Sequence, residues 1–192
     1  MVIIASYDFT PIMKANTNMR TFIALELPEQ FADQTAQLAR ALQAHAQGRF
    51  MQRDTYHLTL AFLGDIDERQ VNDAMDAMDA VSLHPAVPLR AESLGTFKAR
   101  GGKTLYLAFE RSAQASLLAQ DLREQLDARS VPFDRKKFLP HVTLARRATI
   151  GSADLAELPF PTSASANRVT LFKSTLSSEG ATYKPLYTIE LA

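Results

Sequence analysis

Short β-rich apolar runs alternate along the chain with longer segments of helical spacing. Thr21–Pro28, TFIALELP, is β-rich and stops at a proline, which predicts a strand. Over Pro28–Gly48 the apolar Phe31, Leu38 and Leu42 fall at near-helical spacing. Proline suits the first turn and glycine the end, so a helix is predicted across that span. Tyr56–Gly64, YHLTLAFLG, is the next strand. Asp67–Ser82 places Val71, Met75 and Met78 at i, i+4 and i+7, an amphipathic helix with an acidic N-cap before it. VPLRAESLGTF and KTLYLAFE are predicted strands turned at Gly101-Gly102. Ser112–Ser130 is a helix with Leu118, Leu122 and Leu126 on one stripe. KFLPHVTLAR is a strand, and RVTLFKSTL with TYKPLYTIEL forms a closing hairpin around Glu179-Gly180.

This order predicts an α+β fold with a weak internal repeat. A long helix precedes each of two similar histidine-bearing strands, and the two histidines lie 84 positions apart. No low-complexity linker divides the chain. The expectation is two pseudo-symmetric lobes of antiparallel sheet, helices on the outside and a cleft between them, forming one bilobal domain over 19–192. Met19 opens a natural strand-then-helix start, so residues 1–18 read either as an N-terminal extension or as the product of an upstream start codon.

Composition narrows the chemistry. At 192 residues, 46% hydrophobic and 22% charged, the chain is ordinary for a globular protein. Its formal net charge of zero argues against coating long nucleic acid by charge alone. With no cysteine there are no disulfides, thiolate metal sites or cysteine nucleophiles, and a reducing cytoplasm suits the chain. No apolar run reaches the ~18 residues of a membrane span.

Two of the four histidines share the pattern His-aliphatic-Thr-Leu: HLTL from His57 and HVTL from His141. Strand alternation puts His57 with Thr59, and His141 with Thr143, on one face each. A pseudo-twofold would then bring two imidazoles and two hydroxyls to one cleft. That set suits phosphodiester cleavage. In-line attack at phosphorus needs a base on the nucleophile and an acid on the leaving oxygen, and histidine serves either role near neutral pH. Threonine hydroxyls can bond the non-bridging oxygens, and no metal is required. His45 and His84 read as surface residues.

The two motifs resemble those of the 2H phosphoesterases. The flanks are similar to the RNA 2′,3′-cyclic phosphodiesterases, also called 2′-5′ RNA ligases or LigT-like proteins. These flanks are Met19, Arg20, Phe22, Ala24, Leu27 and Pro28 at the start, Phe138, Pro140 and Arg146 around the second motif, and Gly180, Tyr183, Pro185 and Leu186 late. The resemblance implies a bilobal α+β fold and metal-free hydrolysis of RNA 2′,3′-cyclic phosphate ends to 2′-phosphates, with reversible 2′-5′ joining in some members. It implies His57 as general acid, His141 as base, Thr59 and Thr143 on phosphate oxygens, and a charged contact from Arg146. Other 2H activities on 2′-5′ oligonucleotides or ADP-ribose cyclic phosphate use the same four residues. A non-catalytic RNA-binding module is the alternative of a different class.

Around this set, Lys136 and Lys137 are candidate RNA contacts on a basic segment. Phe22 is a candidate base-stacking ring, while Phe62 and Tyr56, at odd offsets from His57, are expected to face away from the cleft. Arg146 lies five residues from His141, so alternation alone puts it on the wrong face unless the strand bulges. Asp65 and Asp67 read as helix-capping residues, not as metal ligands. The expected partners are RNA ends or small cyclic nucleotides, with no cofactor, no metal and no membrane, and the chain is expected to be monomeric.

Overall fold

A computed structural model of the chain describes residues 18–99, 101–150, 158–177 and 180–192. Residues 1–17 of the expected extension, and Glu179 of the expected closing turn, lie outside them. The elements run β1 (Met19–Glu26), α1 (Glu29–Leu42), β2 (Ala46–Phe50), β3 (His57–Ile66), α2 (Glu68–Asp79), β4 (Val87–Leu89) and β5 (Ala91–Ala99). They continue with β6 (Gly102–Phe109), α3 (Ala113–Ala128), β7 (His141–Ile150), β8 (Ala164–Ala166), β9 (Arg168–Ser177) and β10 (Gly180–Glu190).

Two four-stranded sheets result, ordered β10-β9-β1-β3 and β2-β7-β6-β5, with β4-β8 as a small third ladder. Every pairing is antiparallel. The internal repeat is visible in the topology. In one lobe β1, α1 and β3 carry the first motif; in the other β6, α3 and β7 carry the second. In both, the strand before the helix pairs directly with the histidine strand that comes after it, β1 with β3 and β6 with β7. β3 and β7 lie against each other where the lobes meet.

One apolar core serves both lobes. β1 sits inside its sheet, so its run from Thr21 to Leu25 is buried on both faces. The helices tie the lobes together. Phe31 of α1 stacks on Phe109 of β6 at 5.7 Å, and α3 packs on β3 and on α2. α2 starts as expected: the Asp67 carboxylate accepts from the Gln70 N–H at 2.8 Å, and Gln70 returns a bond to the Asp67 N–H.

The predicted helix across Pro28–Gly48 is corrected. It ends at Leu42, and β2 begins at Ala46. Beyond Leu42 the residues Gln43, Ala44 and His45 are exposed, so a longer helix would bury nothing. The chain instead pairs along β7. Gly48 is a close-approach strand residue at φ 146°, where a Cβ would come within 2.9 Å of the Ala148 Cα.

Candidate active site

β3 and β7 share a distortion that decides what faces the cleft. Along β3, Ala24 pairs with Thr59 but Ile23 pairs with Ala61, which leaves Leu60 as an extra residue; Leu63 is extra in the same way. Along β7, Tyr106 pairs with Thr143 and Leu105 with Ala145, so Leu144 is extra. A second irregularity follows between Ala145 and Ala148, where Arg147 takes φ 53°. These are β-bulges at matching offsets from the two histidines. Each first bulge buries two successive residues, Leu60-Ala61 and Leu144-Ala145. The residue five beyond each histidine is thereby returned to the histidine's face.

That shift overturns the reading of Phe62 and meets the condition set for Arg146. Phe62 is half-buried and lines the cleft cavity with Thr59, with Arg20 4.7 Å over its ring. Arg146 is exposed, and its charge acts on both imidazoles. Tyr56 does face away. It is buried, and its hydroxyl donates to the Met51 carbonyl at 3.3 Å.

The two histidines are held alike. His57 Nδ1 lies 2.8 Å from the Thr55 carbonyl, and His141 Nδ1 lies 2.7 Å from the Leu139 carbonyl. A carbonyl only accepts, so each Nδ1 carries the proton and each Nε2 is left to accept or donate. Among the described residues neither Nε2 has a protein partner, and neither does the hydroxyl of Thr59 or Thr143. Aromatic rings fix the imidazoles. Phe22 stacks on His57 at 4.6 Å and Tyr183 meets it edge-on at 5.2 Å. Phe97 and Tyr106 meet His141 edge-on at 5.1 and 5.3 Å.

Burial is the main electrostatic effect. It pushes His57 down to about 4, against its bond to the Thr55 carbonyl, and His141 and Arg146 lower it a little further. His141 is also lowered, by burial first and then by Arg146, against its bond to the Leu139 carbonyl. The surroundings therefore favour the neutral form of both imidazoles. An anion bound beside Arg146 would favour the charged ring and bring a proton back.

The remaining candidates divide. Phe22 is corrected as a base-stacking ring: it is 3% exposed, and His57, Phe172 and Tyr183 all pack on it. Lys136 and Lys137 are exposed and line the cleft cavity, though Lys136 is tied to Asp134 at 2.7 Å. His45 is exposed, whereas His84 is half-buried and pairs with Asp121 at 2.9 Å. Among the described residues no group of three or more His, Asp or Glu could hold a metal ion, and no helix is long and apolar enough to cross a membrane.

Arg123 escapes sequence reasoning. From α3 it donates to the Leu60 carbonyl at 3.1 Å and the Lys136 carbonyl at 3.0 Å. The Asp134 N–H donates to the Phe62 carbonyl at 2.8 Å. Together they lay the loop after α3 along the free edge of β3. In the other lobe a backbone group does the same work, as Met51 N–H donates to the Leu144 carbonyl at 2.8 Å. Nothing in the sequence around Arg123 signals a carbonyl 63 residues away.

The family model described as LigT-like phosphoesterase matches residues 25–106 and 108–183. The chain is 27% identical over 176 residues to the RNA 2′,3′-cyclic phosphodiesterase of Thermotoga maritima, covering 88% of this chain and 94% of that one. It is 27% identical over 169 residues to the Escherichia coli protein of the same name, covering 87% and 93%. The crystal structure of E. coli LigT complexed with 3′-AMP superposes with a TM-score of 0.75 at 26% identity, over 91% of this chain and 98% of that one.

Proposed function

The chain belongs to the LigT-like phosphoesterase family, and on that premise we propose that it hydrolyses RNA 2′,3′-cyclic phosphate ends to 2′-phosphates with two histidines and no metal. One observation carries this reading: two imidazoles, each with Nδ1 fixed on a carbonyl and Nε2 open, sharing the charge of Arg146.

In this scheme water attacks phosphorus and the P–O3′ bond breaks. His141 Nε2 takes the proton from the water, and His57 Nε2 gives one to the departing O3′. Thr59 and Thr143 hold the non-bridging oxygens, and Arg146 neutralises their charge. A ribose 5′-hydroxyl in place of water would leave a 2′-5′ bond by the same steps, which is the joining reaction. We place the enzyme, as a monomer, in the reducing cytoplasm that suits a cysteine-free chain.

The test is a short RNA ending in a 2′,3′-cyclic phosphate, incubated with the protein in EDTA. The expected product is the 2′-phosphate, formed at rates that fall by ~10²–10⁴ in His57→Ala and in His141→Ala. A 3′-phosphate would move the bond that breaks. RNA binding without turnover would replace the enzyme by a binding module.

A further inference from the structure

Two openings lie beside the motif strands, and of these the first has a motif histidine, His141, in its lining while the second has neither histidine. One, about 610 Å³, is lined by Thr59, His141, Phe62 and Phe138. The other, about 650 Å³, is lined by Phe172 and Tyr183, which flank His57, and by Glu26 and Arg168. The first runs on into a depression of about 450 Å³, sharing Arg111, Arg123, Lys137 and Phe138 with it. Each falls within the ~300–1,000 Å³ that holds one small ligand, so the joined pair exceeds a single nucleotide.

Charge separates the openings. Among the described residues the joined pair is lined by Lys98, Arg111, Arg123, Arg135, Lys136 and Lys137 against three acids, Glu124, Asp127 and Asp134. The opposite opening has Arg53 and Arg168 against Glu26, Glu29 and Asp54. Its two cations are committed, Arg53 to Asp33 at 2.8 Å and Arg168 to Glu26 at 3.7 Å. On the joined side Lys136 and Arg135 are paired, but Lys98, Arg111 and Lys137 are exposed with no ion-pair partner among the described residues. Half-buried Phe62 and Phe138 line the same path and suit stacked bases.

From this we infer that the RNA strand 5′ of the reacting phosphate leaves the cleft over Lys98, Arg111 and Lys137, across the loop after β7's partner helix α3 and the start of that helix, so that the enzyme acts on oligonucleotide ends in preference to free cyclic nucleotides. The inference rests on the phosphodiesterase reading above. In a strand ending in a cyclic phosphate every other phosphate lies on the 5′ side, so all the remaining charge must follow one exit. Among the described residues this opening has cations to spare, and the one beside Phe172 and Tyr183 does not.

Steady-state kinetics on 2′,3′-cyclic AMP and on a pentanucleotide ending in a cyclic phosphate test it, across a salt series. The wild type is expected to favour the pentanucleotide in kcat/KM, and to lose that preference as salt rises. Lys98→Ala/Arg111→Ala is expected to reduce the pentanucleotide-to-mononucleotide ratio at least ~5-fold, with a salt slope shallower by ~0.7 for each phosphate contact removed. Arg168→Ala, at the other exit, should keep the ratio. No preference in the wild type, or a ratio that falls in Arg168→Ala and not in the double variant, overturns the inference. Fluorescence anisotropy of the 2′-phosphorylated pentanucleotide separates the two readings. Binding weakened by the double variant without any turnover would sink the phosphodiesterase and keep the strand path.

Discussion

His57 and His141 each spend Nδ1 on the carbonyl two residues back, which fixes the tautomer and aims Nε2 at the cleft. Burial then lowers both, His57 to about 4. Catalysis by an acid and a base needs one ring charged and one neutral. In the free enzyme the pair holds one proton above about 4 and below the ordinary histidine value near ~6.5, mostly on His141 because His57 is pushed lower, so the form with His57 charged and His141 neutral is a minor but fixed fraction across that window. The kcat/KM profile should therefore be a bell on the acid side of pH 6.5. The bound phosphodiester anion raises the pair, so the alkaline limb of kcat should lie at higher pH than that of kcat/KM. Matched pH profiles of the two parameters check this; coincident limbs would mean that the anion does not reach the imidazoles. At this scale the sequence was informative. Two copies of His-x-Thr mark the residues, because a strand's period of two is a local property. Phe22 shows the limit: its pairing beneath His57 is set across β1 and β3, and no local pattern tells a ring under a histidine from a ring beside a ligand.

A strand's period is also where the reading failed. Counting odd and even offsets sent Phe62 to the wrong face and kept Arg146 only on condition of a bulge, because Leu60 and Leu144 each add a residue to the count. Bulges have no reliable signature in one sequence, and these are visible only in the pairing partners. β2 was missed for a related reason. Gly48 ends helices and also permits close strand approach, and only the neighbour β7 chooses between them. α2 and α3 were legible because an N-cap and an apolar stripe are local. The bulges are held by specific groups, which gives two predictions. Arg123→Met leaves the Leu60 carbonyl without its donor, and should destabilise the fold by ~1–3 kcal/mol in urea unfolding. Ala61 and Ala145 are fully buried behind the bulges, so Ala61→Leu or Ala145→Leu should overpack the core by ~1–3 kcal/mol, read in the same assay. A mild loss for leucine would show that the bulged segments can move outward.

Two lobes were legible from the duplicated motif, but the way they are joined was not. α1 reaches Phe109 of the second lobe, and α3 packs on β3 of the first, so each helix closes on the sheet of the other repeat. Both lobes should then unfold together, and one titrating group should register in the stability of the whole chain. Between about pH 4 and ~6.5 the unfolded chain holds a proton on His57 that the folded chain does not. Stability should rise with pH through that window and be level with respect to His57 on either side of it, highest above; His57→Gln should flatten the slope. Urea midpoints at pH 4.5 and 7 for both proteins measure it, and equal slopes would assign the acid sensitivity elsewhere. The matched bulges have one more effect at this scale. They carry equivalent positions of the two repeats to the cleft, and those positions hold unlike residues, phenylalanine in one lobe and arginine in the other. A symmetric frame thus presents a ring capped by Arg20 at one end and, at the matching place of the other, the Arg146 side chain with no ring. The cleft has a head and a tail, and a substrate threaded backwards would meet each of them at the wrong place.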